Sequence, residues 1–426
     1  MEPQARLRVT VAAAGERPIG CELVDLSRQR SLWTMRFAPA DFGIGPEMSP
    51  YGMLRVPGEL RREIVAAVTR QLPGMSALWL HLVAPYGWLS AAPWESVLAP
   101  RLGIPVLRLP RPLPAAAAPA ARWTVAVVAN APAGAIWPTG YLPAFARALT
   151  TAVRMPAQVD VFADAATADA LSRGRTTPAL VVHEPPAMAV DGTAADRWSR
   201  WLTGRLAGTG VRVLYVIGDG ALDGVRSLTA VAADPGGRYR LGRAGYLSGG
   251  DIRRLADRLG APAVGIGSPP GNDSDLATRL LADAVGSAQC GPTAYVDIAD
   301  DREGRGMAAA QAFLANPPGS TALPIAPALF VYVQPTLLAA ALGAAAAGGL
   351  SPGDQVEQPY AARGEQIPGW VAASARYLDF ALVDRAVKGG AEAVAMTRGA
   401  YEHGQSRGLS FVHELVAAQG EQDGQR

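Results

Sequence analysis

The run Val211-Arg212-Val213-Leu214-Tyr215-Val216-Ile217, followed at once by Gly218-Asp219-Gly220, decides how this chain is read. A near-continuous apolar stretch of strand length describes a β-strand covered on both faces, and the Gly-Asp-Gly that ends it is turn chemistry. Runs of the same kind recur at 124–129, 159–162, 179–182, 263–267 and 293–298. Between them lie helical patterns at 142–154, 166–172, 195–206, 251–259 and 275–286. Strands alternating with helices at this spacing predict an α/β fold with a mostly parallel sheet flanked by helices on both faces. In such a sheet functional groups gather beyond the strand carboxyl ends, here the loops 130–137, 183–188, 218–224, 268–273 and 299–301.

Outward from this core the texture changes. Residues 1–73 read as a β-rich lead-in, with alternating runs such as Leu7-Arg8-Val9-Thr10-Val11 and Cys21-Glu22-Leu23-Val24-Asp25-Leu26, closed by a helix over 57–72 that carries Leu60, Ile64, Val65 and Val68 on one face. Residues 74–109 hold a short apolar strand and a helix that starts near Pro93. A Pro/Ala-rich linker, 110–122, separates them from the core at 123–335, whose last strand is expected at 328–333. Residues 336–426 read as a helical tail, in which Trp370, Ser374, Tyr377, Leu378, Ala381 and Leu382 make an amphipathic stripe; Trp370 and Tyr377 are its candidate interface anchors.

Composition excludes several classes of function. With 49% hydrophobic and 18% charged residues, the chain is far too apolar to be disordered. The 39 basic and 37 acidic residues are spread along it, which leaves no footprint for nucleic acid or anionic lipid. No window reads as a signal peptide or a membrane span, so a cytoplasmic location is expected. Two cysteines, Cys21 and Cys290, without a CxxC or a Cys/His cluster, argue against a disulfide framework and a zinc site. No GxGxxG, GxxxxGK[ST] or GxSxG stands at a strand end, so neither a nucleotide cofactor nor a hydrolase elbow is expected.

Leu89-Ser90-Ala91-Ala92-Pro93-Trp94-Glu95-Ser96-Val97-Leu98, the strand at 211–217 and the strand Ala263-Val264-Gly265-Ile266-Gly267 occur in an order that resembles the CHAT domain, a caspase-like fold of bacterial regulatory and conflict systems. The resemblance covers roughly residues 75–315. Gly267-Ser268-Pro269-Pro270-Gly271-Asn272 and the tail segment 370–378 look like an actinobacterial subgroup. Members carry a Pro-Trp-Glu-like element, then a strand ending in a His-Gly pair, then a strand ending at a Cys nucleophile. By that resemblance Asp219 takes the catalytic His position and Ser268 the Cys position. An alternative alignment makes Val181-Val182-His183-Glu184-Pro185-Pro186 the His-bearing strand; His183 is then the first, non-catalytic His, and Ala187 takes the catalytic place. The catalytic His is missing on either alignment.

A caspase-like peptidase needs a thiolate and an imidazole that shuttles its proton near neutral pH. A carboxylate and a hydroxyl do not supply that pair. The expectation is a non-catalytic scaffold or regulatory subunit that binds a protein encoded nearby. One alternative is a peptidase with an unrecognised dyad built on His183 or Cys290. Others are a metal-dependent hydrolase using Asp219, Asp223, Asp297, Asp300 and Asp301, or a small-ligand receptor in the strand-end crevice. His81 reads as a core residue, and His403 and His413 have no visible partner in the tail.

Overall fold

A computed structural model describes residues 5–12, 16–25, 30–45, 54–83, 86–109, 122–174, 177–186, 191–223, 226–271, 275–286, 292–315 and 329–333. Cys290, Ala187, His403, His413 and the tail stripe with Trp370 and Tyr377 lie outside the described residues. The first strands are β1 (Ala5–Val11), β2 (Ile19–Asp25) and β3 (Arg30–Phe37), followed by α1 (Gly58–Gln71), β4 (Leu78–Leu82), α2 (Trp94–Leu102) and β5 (Val106–Arg108). Then come β6 (Trp123–Ala129), α3 (Trp137–Ala152), β7 (Ala157–Ala163), α4 (Ala165–Arg173), β8 (Leu180–His183), α5 (Ala194–Arg205) and β9 (Val211–Ile217). A small meander, β10 (Gly220–Asp223), β11 (Arg226–Ala232) and β12 (Ala244–Ser248), leads to α6 (Gly249–Leu259) and β13 (Ala263–Ser268). The chain continues through α7 (Asp275–Gly286), β14 (Thr293–Asp297), α8 (Arg305–Ala315) and β15 (Leu329–Tyr332).

Twelve strands form one sheet in the order β3-β2-β1-β4-β5-β15-β14-β13-β9-β6-β7-β8. The six strands from β14 to β8 are parallel, as the alternating strand and helix pattern predicts. β15 runs antiparallel to β14 and parallel to β5, which in turn pairs with β4. The lead-in strands therefore extend the same sheet, from β1 through β4 and β5 to β15.

Period-two burial explains the layers. Val125, Val127, Val161, Val213 and Tyr215 face α3, α4 and α8 in one core, while Ala126, Val128, Phe162, Leu214 and Val216 face α5, α6 and α7 in a second. A third core lies between the N-terminal strands and α1 and α2. Gly265 and Gly267 are required by this packing. A side chain at Gly265 would begin 2.8 Å from the Tyr215 ring, and one at Gly267 would begin 2.8 Å from its hydroxyl. The small residues of β13 thus give room to a large one on β9, whose hydroxyl meets that of Tyr141 at 2.8 Å.

The Pro-Trp-Glu element has a structural task. Trp94 is fully buried and its Nε1 donates to the Leu89 carbonyl at 2.8 Å. Glu95 receives Arg108 bidentately, Nε to Oε1 at 2.6 Å and Nη2 to Oε2 at 2.9 Å. Arg108 also donates to the Ser90 carbonyl at 2.7 Å and to the Tyr332 hydroxyl at 3.2 Å, with its guanidinium 4.0 Å from the Phe330 ring centre. Tyr332 donates onward to Asp283, which accepts from Tyr86 at 3.0 Å as well. Burial opposes the charge on Arg108, but Glu95 and Tyr332 outweigh it and raise its pKa. α2, β5, β15 and α7 are thereby joined by one buried polar chain.

Burial pushes the Asp283 carboxyl above the ordinary range, against the opposing pull of Tyr332, Arg108, Tyr86 and Ser90. A carboxyl raised in the folded state stabilises fully below its unfolded pKa of about 3.9, and that contribution is lost as pH rises through the folded value. Asp283→Asn is therefore expected to gain stability relative to the parent as pH rises from below that point to neutrality. Urea midpoints of both proteins across the range test this; a difference independent of pH would refute it.

Candidate functional site

β6, β7 and β8 step one way across the sheet and β9, β13 and β14 the other, so the strand order reverses between β6 and β9. A crevice beyond the carboxyl ends at such a reversal is the usual ligand position in an α/β sheet. Three residues expected at the site stand on one side of it, at the carboxyl ends of β9, β13 and β14. Ile217 pairs with Gly267, so Asp219 leaves β9 beside the end of β13, where Ser268 is level with Asp297 of β14. Ser268 is 2% exposed, and its carbonyl accepts from the Ile298 N–H at 3.0 Å. Gly218 is fixed by close approach: a side chain there would begin 2.6 Å from both the Ala230 carbonyl oxygen and Thr229 Oγ1.

The carboxylates at this edge are held by local structure. Asp219 Oδ2 accepts from the Tyr239 hydroxyl at 2.7 Å. Burial, then Asp219 itself, raises the Tyr239 pKa and keeps that hydroxyl a donor. Asp297 Oδ1 accepts from the Ala299 N–H at 2.8 Å. Asp301 accepts from the Gly306 and Met307 N–H groups at 2.8 and 3.0 Å, capping α8; burial raises its pKa while these donors lower it. Asp223 lies at the far end of the β10–β11 hairpin, opposite Arg226. Among the described residues no three His, Cys, Asp or Glu side chains gather where they would hold a metal ion.

His183 is placed elsewhere. It ends β8, the sheet edge, with β7, β6 and β9 between it and β13. Four strand steps of about 4.8 Å put roughly 19 Å between β8 and β13, whereas proton transfer needs direct hydrogen-bond contact or one bridging water. Its Nε2 instead meets Asp160 Oδ1 at 2.9 Å, and its ring stacks on Phe162 with centroids 4.4 Å apart. Asp160 is 1% exposed and also accepts from Gln158 Nε2 at 3.0 Å. His81 lies on β4, four steps from β13 on the other side. Neither described imidazole can serve Ser268.

Three residues at the crevice, Asp164, Thr229 and Tyr239, escaped the sequence reading, while Asn130 opens the loop 130–137 that it singled out. Asn130, directly after β6, accepts from the Ala232 N–H through Oδ1 at 3.1 Å. Asp164, fully buried after β7, caps α4 by accepting from Ala166 N–H at 3.1 Å and Thr167 N–H at 3.4 Å, and takes the Tyr239 N–H at 3.3 Å. Thr229 and Tyr239 come from the meander and the loop within it. Only Asp164 carried a sequence signal, an Asp immediately before a helical run. No protein-family model, curated protein or solved structure matches this chain.

Proposed function

We propose that this chain is a non-catalytic CHAT-type scaffold or regulatory subunit, cytoplasmic, that binds another protein within a bacterial conflict or immune system. The observation that carries the reading is the setting of Ser268. It is buried at the strand end where the resemblance expects a nucleophile. Its neighbour at the expected base position is a carboxylate already engaged by Tyr239, and both described imidazoles are roughly 19 Å away by strand count. A hydroxyl without an imidazole base is a poor nucleophile, and an ionised carboxylate does not protonate a leaving amine. The adjacency of β9 and β13 favours the alignment of Asp219, rather than His183 or Ala187, with the missing His. The absence of any described helix long and apolar enough to cross a membrane is compatible with a cytoplasmic place.

The purified chain is expected to turn over no member of a broad fluorogenic peptide panel, and to bind the product of an adjoining reading frame in calorimetry. Ser268→Ala should leave that binding within twofold of the parent. Peptide cleavage that disappears in Ser268→Ala would overturn the proposal.

A further inference from the structure

The loop that joins β11 to β12 is pinned on its inner side and charged on its outer side. Burial alternates along 238–240, so Tyr239 turns into the protein while Arg238 and Arg240 turn out. Tyr239 is 3% exposed; its N–H donates to Asp164 Oδ1 at 3.3 Å and its hydroxyl to Asp219 Oδ2 at 2.7 Å. Those carboxylates follow β7 and β9, so the loop is tied to the carboxyl edge of the main sheet. Arg240 is extended, with φ −142° and ψ 121°, and the chain then makes one tight turn, Leu241–Arg243, closed by the Arg243 N–H to the Arg240 carbonyl at 2.9 Å. In β12 the Ala194 methyl of α5 leaves no room for a side chain at Gly245. The next residue, Tyr246, therefore faces the other way and is 44% exposed.

Among the described residues the large apolar side chains left exposed are Val11, Ile136, Val181, Leu241 and Tyr246, and Leu241 is 58% exposed. One such residue alone needs no explanation, but Leu241 and Tyr246 stand among three exposed arginines, Arg238, Arg240 and Arg243. No described carboxylate forms an ion pair with any of the three. Exposed Arg173, Arg254 and Arg305 elsewhere do pair, with Asp169, Asp251 and Glu303. Asp164 and Asp219 reach the loop through Tyr239 instead. Like charges this close repel one another, so the inner ties hold together a patch that its own charges oppose. Tyr and Arg are the side chains that most often carry binding energy, and a loop fixed beforehand loses little freedom when it binds.

We infer that Arg238, Arg240, Leu241, Arg243 and Tyr246 form the docking surface for an acidic, extended segment of the partner protein. This rests on the scaffold reading and names the chemistry of its partner. Charge complementarity sets the class. A guanidinium takes a carboxylate bidentately, and arginines at every second position match carboxylates two residues apart on an extended chain, about 6.6 Å. Leu241 and Tyr246 then cover an apolar residue beside those acids. The segment adds to the outside of the loop and displaces nothing, since β10, β11 and β12 keep their pairing. A protein is favoured over a nucleic acid or a lipid surface because the patch is only three charges wide, on a chain whose 39 basic and 37 acidic residues supply no broader basic face.

The full chain tests this with a labelled peptide, Gly-Asp-Leu-Glu-Tyr-Asp-Gly, as probe and its Asn/Gln counterpart as control. Fluorescence anisotropy should show the acidic peptide binding at least tenfold more tightly than the control. Arg238→Glu combined with Arg240→Glu should cost at least tenfold of that affinity, and Leu241→Ser alone at least threefold. Where the charge reversal loses its native circular dichroism, Arg240→Gln and Leu241→Ser are read singly, each with a loss of threefold or more. Acidic peptide bound no more tightly than the control, or bound undiminished by a natively folded reversal variant, overturns the surface. So does a single-stranded oligonucleotide or a phosphatidylserine vesicle that outcompetes the peptide and is itself lost on charge reversal. A product of the adjoining reading frame that binds the parent and the reversal variant alike overturns the surface while leaving the scaffold reading standing.

Discussion

Glu95→Ala is expected to cost about 3–5 kcal/mol, because it leaves the guanidinium of Arg108 buried without its counter-charge. Arg108 is 1% exposed and its other partners are neutral, the Ser90 carbonyl and the Tyr332 hydroxyl. The loss should spread beyond α2, since Arg108 and Tyr332 sit on β5 and β15, the strands that join the N-terminal half of the sheet to the rest. Removing both charges with apolar residues, Glu95→Met with Arg108→Leu, should recover most of the loss, since the desolvation penalty is then removed with the attraction. Urea denaturation of the three proteins decides the matter. A single-variant loss below about 1 kcal/mol, the scale of an exposed pair, would show that the pair does not carry this junction. The glutamate of the Pro-Trp-Glu element is on this account a fastener, and needs no substrate to explain its presence.

Asp164→Ala is the second large effect, expected at about 2–4 kcal/mol from a lost helix cap and buried donors left without an acceptor. The carboxylate takes the Ala166, Thr167 and Tyr239 N–H groups at once and is fully buried. Asp164→Asn keeps an acceptor oxygen and should lose less than half as much. Thermal or urea unfolding gives the ranking, and equal losses in the two variants would contradict it. The same substitution should also raise hydrogen exchange at Tyr239 more than at the β13 amides, because the Tyr239 N–H then loses its acceptor.

Much of the core was legible because a strand buried on both faces must be apolar along its whole length. β6 is buried at every position, and its run and those of β9 and β13 are visible without any knowledge of neighbours. The intervening helices follow from their amphipathic spacing, and α7 was bounded at 275–286. The meander was not legible: β10 is four residues of mixed exposure, too short to show a period. β5 is three residues long and gives no periodic signal, yet it makes the link that places the lead-in strands in the main sheet.

At the crevice the alternation of strands and helices was enough to bring Asp219 and Ser268 to the same edge of the sheet. It was not enough to exclude His183, which also ends a strand and also faces a carboxylate. Only the strand order shows that three strands intervene. Asn130 and Ala232 meet across 102 residues, and no local pattern announces that contact.

Residue order by itself determined the strands and the helices of the core, because these depend on side-chain chemistry and short-range periodicity. Tertiary structure alone decided which strand ends are neighbours, that β15 turns antiparallel to carry the sheet into the N-terminal strands, and that Asn130 and Asp164 accept from the Ala232 and Tyr239 N–H groups. Those outcomes rest on hydrogen bonds between segments far apart in the chain, whose partners are chosen by the packing of the whole sheet.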